Sequence, residues 1–155
     1  MSVPFDSNVN LTCEIAFDSN PLDSVQSWTD VTAYLRGFET TRGRISELAE
    51  FQTGTATVTL DNRDNRFSPN QSTYYYDSVN GRTKIQPLKR LRIRAEYDST
   101  TYDIFHGFVE SFPVQYAGQG YDASTKIRVV DVFKLLFNAT LDGVGWQLGI
   151  SKLGS

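Results

Sequence analysis

The sequence predicts a mainly β fold: a barrel or sandwich of about six to eight strands, with one short helix packed at its edge. Three observations carry this expectation. Strictly alternating runs recur along the chain, the segments between them are rich in turn residues, and only one late stretch has helical spacing.

The first alternating run is Val9 to Phe17. Val9, Leu11, Cys13, Ile15 and Phe17 share one face, and Asn10, Thr12 and Glu14 the other. A period of two marks a half-buried strand. Cys13 falls on the apolar face and reads as a small core hydrophobe. Asp18 to Ser27 is turn-rich, punctuated by Asn20-Pro21. A second strand region runs from about Trp28 to Thr41, with a break expected near Gly37. Ser46 to Phe51 reads as a helical turn or a compact loop ended by Gly54.

Thr55 to Leu60 alternates again, with Ala56, Val58 and Leu60 inward and three threonines outward. The polar run LDNRDNRFSPN follows. Asn70 to Pro87 reads as a long excursion containing Tyr74, Tyr75 and Tyr76. Lys89 to Tyr97 is the clearest strand: Leu91, Ile93, Ala95 and Tyr97 face one way, and Arg90, Arg92, Arg94 and Glu96 the other. Asp98-Ser99-Thr100 signals a hairpin returning through Thr101 to Val109. Tyr116 and Tyr121 flank a Gly-rich turn, and Lys126 to Val130 is a further strand. Asp131 is placed to cap a helix, because Phe133, Leu136 and Phe137 follow at helical spacing. We divide the chain into a β domain over 1–140 and a Gly-rich C-terminal tail or arm over 141–155.

Bulk properties narrow the function classes. The 155 residues suit one domain. A chain of this length buries roughly 70% of its unfolded surface, so a core forms without staples. With 39% hydrophobic residues the body is not expected to be disordered. A net charge of −3 argues against a general nucleic-acid binder. One cysteine excludes an intrachain disulfide. No apolar run reaches the ~20 residues that span a bilayer, and the N-terminus lacks signal-peptide character, so the expectation is a soluble protein made in the cytoplasm.

The polar run could be a metal loop, an acid–base site or a turn whose polar groups hold the fold together. As a calcium loop starting at Asp61 it fails, because Arg63 and Arg66 stand where a ligand and the turn glycine belong. Asp61 and Asp64 make poor catalytic partners, since arginines and amides beside them favour ionisation of both. Asp and Asn instead bond their own backbone in turns, and Arg63 or Arg66 can fork onto a carboxylate. We read Asp61, Arg63, Asp64 and Arg66 as a structural loop. A single histidine, His106, and a single cysteine give no zinc cluster. No phosphate loop or nucleophile elbow occurs, so no enzyme and no cofactor are expected.

Two binding surfaces are candidates. Arg90, Arg92 and Arg94 lie about 7 Å apart on one strand face. They could track phosphate, form a solvated face, or pair with carboxylates within or between subunits. Tyr74, Tyr75 and Tyr76 could form a sugar-stacking platform, as in a β-sandwich carbohydrate-binding module, or an interface patch, or an ordinary packed loop.

The ordered string of motifs adds a family resemblance. Asp30-Val31-Thr32, the RGR at Arg42 to Arg44, Phe51-Gln52-Thr53-Gly54-Thr55-Ala56 and the LDNRD-x-RFSP loop come first. The KRLRIR strand from Lys89, the Phe105-x-Gly107-Phe108-Val109 segment and Asp131 opening a helix follow. Over about Trp28 to Phe137 the chain resembles the N-terminal domain of minor tail proteins of long-tailed bacteriophages. The resemblance implies a tail-tube-like β domain in a distal-tail or baseplate-hub ring, located at the virion tail tip after assembly in the host cytoplasm. It implies self-association, with a hexameric ring favoured and a trimer possible. Contacts with the tail tube and other tail-tip proteins follow, with DNA only in passage through the channel and no membrane insertion. A channel should let phosphate slide, so the arginine stripe is expected to face protein rather than the lumen. Family members are often longer, with further domains after the helix.

Overall fold

A computed structural model describes residues 9–43, 52–117, 122–132 and 136. It is mainly β. The strands are β1 (Asn10–Ile15), β2 (Thr29–Asp30), β3 (Leu35–Gly43), β4 (Gln52–Asp61), β5 (Tyr76–Asp77), β6 (Arg82–Thr83), β7 (Arg90–Tyr97), β8 (Thr100–Ser111), β9 (Val114–Ala117) and β10 (Asp122–Val130). Eight of them form one sheet in the order β2-β1-β7-β8-β10-β4-β3, with β9 also on β10. The remaining two, β5 and β6, form a separate small hairpin. Their pairings are antiparallel.

The sheet is strongly rolled, and its connectivity requires this. β2 and β3 lie at opposite ends of a seven-strand path, yet only Val31 to Tyr34 separates them in sequence. A flat path of that kind would hold its edges about 29 Å apart at ~4.8 Å per strand. Five Cα steps from Asp30 to Leu35 reach about 18 Å at most. The sheet nevertheless does not close into a barrel, because no ladder joins β2 to β3. A 3-10 turn over Thr32–Tyr34 bridges the seam instead. It is pinned to β1, where Val31 donates to the Cys13 carbonyl (2.9 Å) and the Cys13 amide donates to Thr32 Oγ1 (2.9 Å). The expected break in the second strand region therefore falls at this seam. Gly37 lies inside β3 beside a shift of register between Leu35 and Gly37.

The alternation read from sequence fills the concave face. Cys13 and Ile15 from β1, Leu91 and Ile93 from β7, Val58 and Leu60 from β4, and Ile127 and Val129 from β10 are fully buried in one core. Phe67 and Ile85, from the long crossing between β4 and β7, cover it. Complete burial of a side chain the size of phenylalanine contributes about 2–3 kcal/mol. Two inward assignments are corrected. Val9 precedes β1 and is exposed, and Tyr97 is 46% exposed because β7 outruns the core at its hairpin tip. That tip is a two-residue turn with Asp98 (φ 48°) and Ser99 (φ 60°) both left-handed, the geometry that matches strand twist.

β8 and β9 lie successively along one side of β10, interrupted at Phe112-Pro113. Proline has no amide hydrogen to donate, but the Pro113 carbonyl still accepts from the Lys126 amide (3.3 Å). At Gly107 in β8 the strands meet so closely that a Cβ would lie 2.4 Å from the Val130 carbonyl oxygen. Only glycine fits there without moving backbone. Of the helix expected after Asp131, only Val132 and Leu136 are described, both helical. The rest of that helix, the Ser46–Phe51 turn, most of the Ala117–Gly120 turn and the 141–155 tail lie outside the described residues.

Candidate functional site

The corner after β4 is built around an amide. Asn62 is fully buried. Its Oδ1 accepts the Phe67 amide (2.8 Å), its Nδ2 donates to Ser68 Oγ (3.0 Å), and its own amide donates to the Ala123 carbonyl on β10 (2.9 Å). Three consecutive tight turns follow, as Asn65, Ser68 and Gln71 donate to the carbonyls three residues earlier. Asn65 tolerates the left-handed φ of 58° that this path demands. The result places Phe67 in the core, edge-on to Tyr34 and stacked with Tyr75.

The four charged residues lie outside this buried frame and pair two residues apart. Asp61 accepts from the Arg63 amide (3.0 Å) and Nε (2.9 Å), and also pairs with Arg36 (3.2 Å). Asp64 accepts from the Arg66 amide (3.1 Å) and Nε (2.9 Å). The Arg63 guanidinium, aided by the Arg63 amide and Arg36, holds the Asp61 carboxyl far below the usual carboxylate range. Both carboxylates are thus committed to guanidiniums and amides of their own turn. Arg66 lies between the rings of Tyr34 and Tyr74, 4.2 and 4.4 Å from their centroids.

The tyrosine run does not form a flat platform. Tyr75 turns inward at φ 44° and stacks on Phe17 with centroids 4.1 Å apart. Burial pushes its hydroxyl pKa up. Tyr74 stays on the surface against Arg66, and Tyr76 belongs to the β5–β6 hairpin.

The arginine stripe is occupied by the chain itself. In the β1–β7 ladder Glu14 stands opposite Arg92, and Thr12 opposite Arg94. Arg92 grips Glu14 with two bonds, Nε to Oε2 (2.7 Å) and Nη2 to Oε1 (3.1 Å), and Arg94 Nη2 reaches the same Oε2 (2.7 Å). The bond from Arg92, the charges of both arginines and the bond from Arg94 hold the Glu14 carboxyl below its ordinary range against the opposing effect of burial. Arg92 also covers Trp28 at 4.1 Å, and Trp28 meets His106 edge-on. Arg90 differs: its Nε donates to the Pro21 carbonyl (2.6 Å), and it lies over Phe108. Arg90 is the member of the stripe with no carboxylate partner among the described residues.

His106 is not joined to Cys13. Desolvation, then the charge of Arg90, pushes the imidazole below its ordinary pKa. Burial pushes the Cys13 thiol up to about 12. Among the described residues no three His, Cys, Asp or Glu side chains converge as metal ligands.

Sequence reasoning missed Asn62 and Glu14. Asn62 was hidden among other turn-forming residues, although Ser68 six positions on offered it a partner. Glu14 lies 78 residues from Arg92, and only the pairing of β1 with β7 joins them. A comparison with protein-family models finds no match to the chain, and a comparison with curated proteins finds none either.

Proposed function

We propose that the chain is a structural subunit of a bacteriophage tail tip, a distal-tail or baseplate-hub ring component that continues the tail-tube channel. The observation that carries this reading is where the motifs of the resemblance fall. The Phe51–Ala56 motif and the helix-opening Asp131 meet at Gly54, whose amide donates to Asp131 Oδ2 (2.6 Å). The Phe105–Val109 motif supplies Gly107 beneath Val130, and the LDNRD-x-RFSP loop supplies the Asn62 frame. These are joints of a scaffold rather than groups converging on a substrate. A motif set of that kind is what a shared architecture would impose, and it favours a structural role over catalysis.

The same reading gives the partners: other copies in a six-fold ring, or three-fold with a second such domain, then the tail tube and tail-tip proteins. The paired arginines Arg92 and Arg94 suit a protein-facing surface, since Glu14 already neutralises part of their charge. Negative-stain electron microscopy of the concentrated chain is expected to give annular particles with six-fold or three-fold symmetry and an axial channel. Particles with no rotational symmetry above two-fold would overturn the ring.

A further inference from the structure

The β1–β2 connection is a loop held rigid with its apolar side chains outward. Asn20 accepts the Asp23 amide through its carbonyl (3.1 Å) and donates its own amide to Asp23 Oδ2 (3.0 Å). Gln26 Nε2 donates to the carbonyls of both Asn20 (2.9 Å) and Asp23 (2.8 Å), and the Ser27 amide donates to Ser19 Oγ (2.6 Å). Lys89 and Arg90 tie the loop to the body through the carbonyls of Ser19 and Pro21. The frame leaves Leu22 84% and Val25 82% exposed. Large apolar side chains presented this fully on a preorganised loop lower the ordering cost of docking.

Beside this knob lies a hole. An open cavity of about 360 Å³ has apolar walls from Phe105, Phe108 and Val132, with Arg90 and His106 at its polar side. Asp131 also lines it, with its carboxylate on the Gly54 amide. Arg90 joins the two features, touching Pro21 of the knob through Nε and lining the hole. A knob and a hole that share Arg90 form a self-complementary patch, which a two-fold axis satisfies twice. Their charges also match: Asp23 sits between the two exposed apolar residues, and among the described residues neither Asp23 nor Arg90 has an ion-pair partner.

We propose that the chain self-associates through a two-fold contact in which Leu22 and Val25 of each copy enter the Phe105–Phe108 cavity of the other, with Asp23 meeting Arg90. A two-fold contact closes at two copies and builds no ring, so it does not depend on the ring assignment. Where rings form, it would pair them face to face.

Sedimentation velocity at rising concentration tests this. The unmodified chain is expected to double in mass, from one copy to two or from one ring to a pair of rings, and the exposed double variant L22S/V25S to dissociate at least tenfold more readily with unchanged melting. D23R and R90D are each expected to weaken the pair, and D23R/R90D to bind more tightly than either but below the unmodified chain, because both changes also remove bonds that hold the loop. A chain that never doubles, a doubled species indifferent to L22S/V25S, or a double charge reversal no tighter than the single ones would overturn the proposal. Six-fold symmetry bears only on the ring, and doubling only on this contact.

Discussion

Gly54 and Asp131 hold each other through two hydrogen bonds: the Gly54 amide donates to Asp131 Oδ2 (2.6 Å), and the Asp131 amide donates to the Gly54 carbonyl (3.0 Å). This pair fastens the point where β10 ends to the beginning of β4, next to the register pair Val130–Thr55. A carboxylate is the acceptor, and hydrogen bonds to charged groups exceed neutral ones in strength. Asp131→Ala leaves a buried amide without its partner. We expect a loss of about 1–3 kcal/mol, read as a lower denaturant midpoint at unchanged m-value.

Gly107→Ala is expected to be more damaging than its single added methyl suggests. The new Cβ meets backbone, the Val130 carbonyl oxygen, and not the yielding end of a side chain. Strands β8 and β10 must part or slip, and overpacking of this sort costs about 1–3 kcal/mol or more. Amide exchange of β10 residues should accelerate before that of β1, and equal protection of the two strands would contradict the account.

The polar corner separates two kinds of residue that look alike in sequence. Asn62→Ala strands the buried Phe67 amide and Ser68 hydroxyl, for an expected loss of about 2–3 kcal/mol. Asp64→Ala removes an exposed pair with Arg66, for which about 0–1 kcal/mol is expected. If Asp64→Ala melted lower than Asn62→Ala, the keystone would be wrongly assigned. Any assembly that the unmodified chain forms should survive in the Asp64 variant, because among the described residues its carboxylate bonds Arg66 alone.

How much of this was legible in the sequence depended on distance along the chain. Alternation placed Ile15, Val58, Leu60, Leu91 and Ile93 on the buried face, because strand periodicity is local. The Asp61–Arg63 and Asp64–Arg66 pairs are likewise local, spanning two residues each. The seam at Val31–Tyr34 was not legible, since it is set by the roll of the whole sheet, and Gly37 was the stronger local signal. The arginine stripe was visible, but its partner was not: Glu14 reads as an ordinary outward residue until β1 lies beside β7. Tyr75 looks like its neighbours in sequence, yet a left-handed backbone sends it to Phe17.

Cys13 should resist thiol reagents in the native state. Its pKa is pushed up to about 12, first by burial and then by the charges of Asp30 and Glu14. At pH 8 the folded chain holds almost no thiolate, and thiolate is the reactive form. Labelling should therefore occur only at the rate of unfolding, and rise to that of a free cysteine in denaturant. Because the folded state favours the protonated thiol, this group's contribution is present below pH 9 and declines as pH rises toward 12.

Glu14 gives the acid side of the stability profile. Its pKa is lowered in the fold, first by the bond from Arg92, so the folded state binds this proton less readily than the unfolded chain. The resulting contribution is present above the ordinary value of 4.5 and is lost as pH falls through the lower folded value. Glu14→Gln removes the charge and leaves Arg92 and Arg94 facing each other. Breaking a fully buried pair costs about 3–5 kcal/mol, but the two guanidiniums keep side-chain exposures of 23% and 29%, so on the order of 2 kcal/mol is expected at pH 7. The decisive measurement is the difference between the chain and its Glu14→Gln variant from pH 7 to pH 2. It should shrink across the acid limb, as Glu14 itself becomes protonated and loses its hold on both arginines. A difference that stayed constant to pH 2 would mean that packing, and not charge, is what Glu14 contributes to the β1–β7 face.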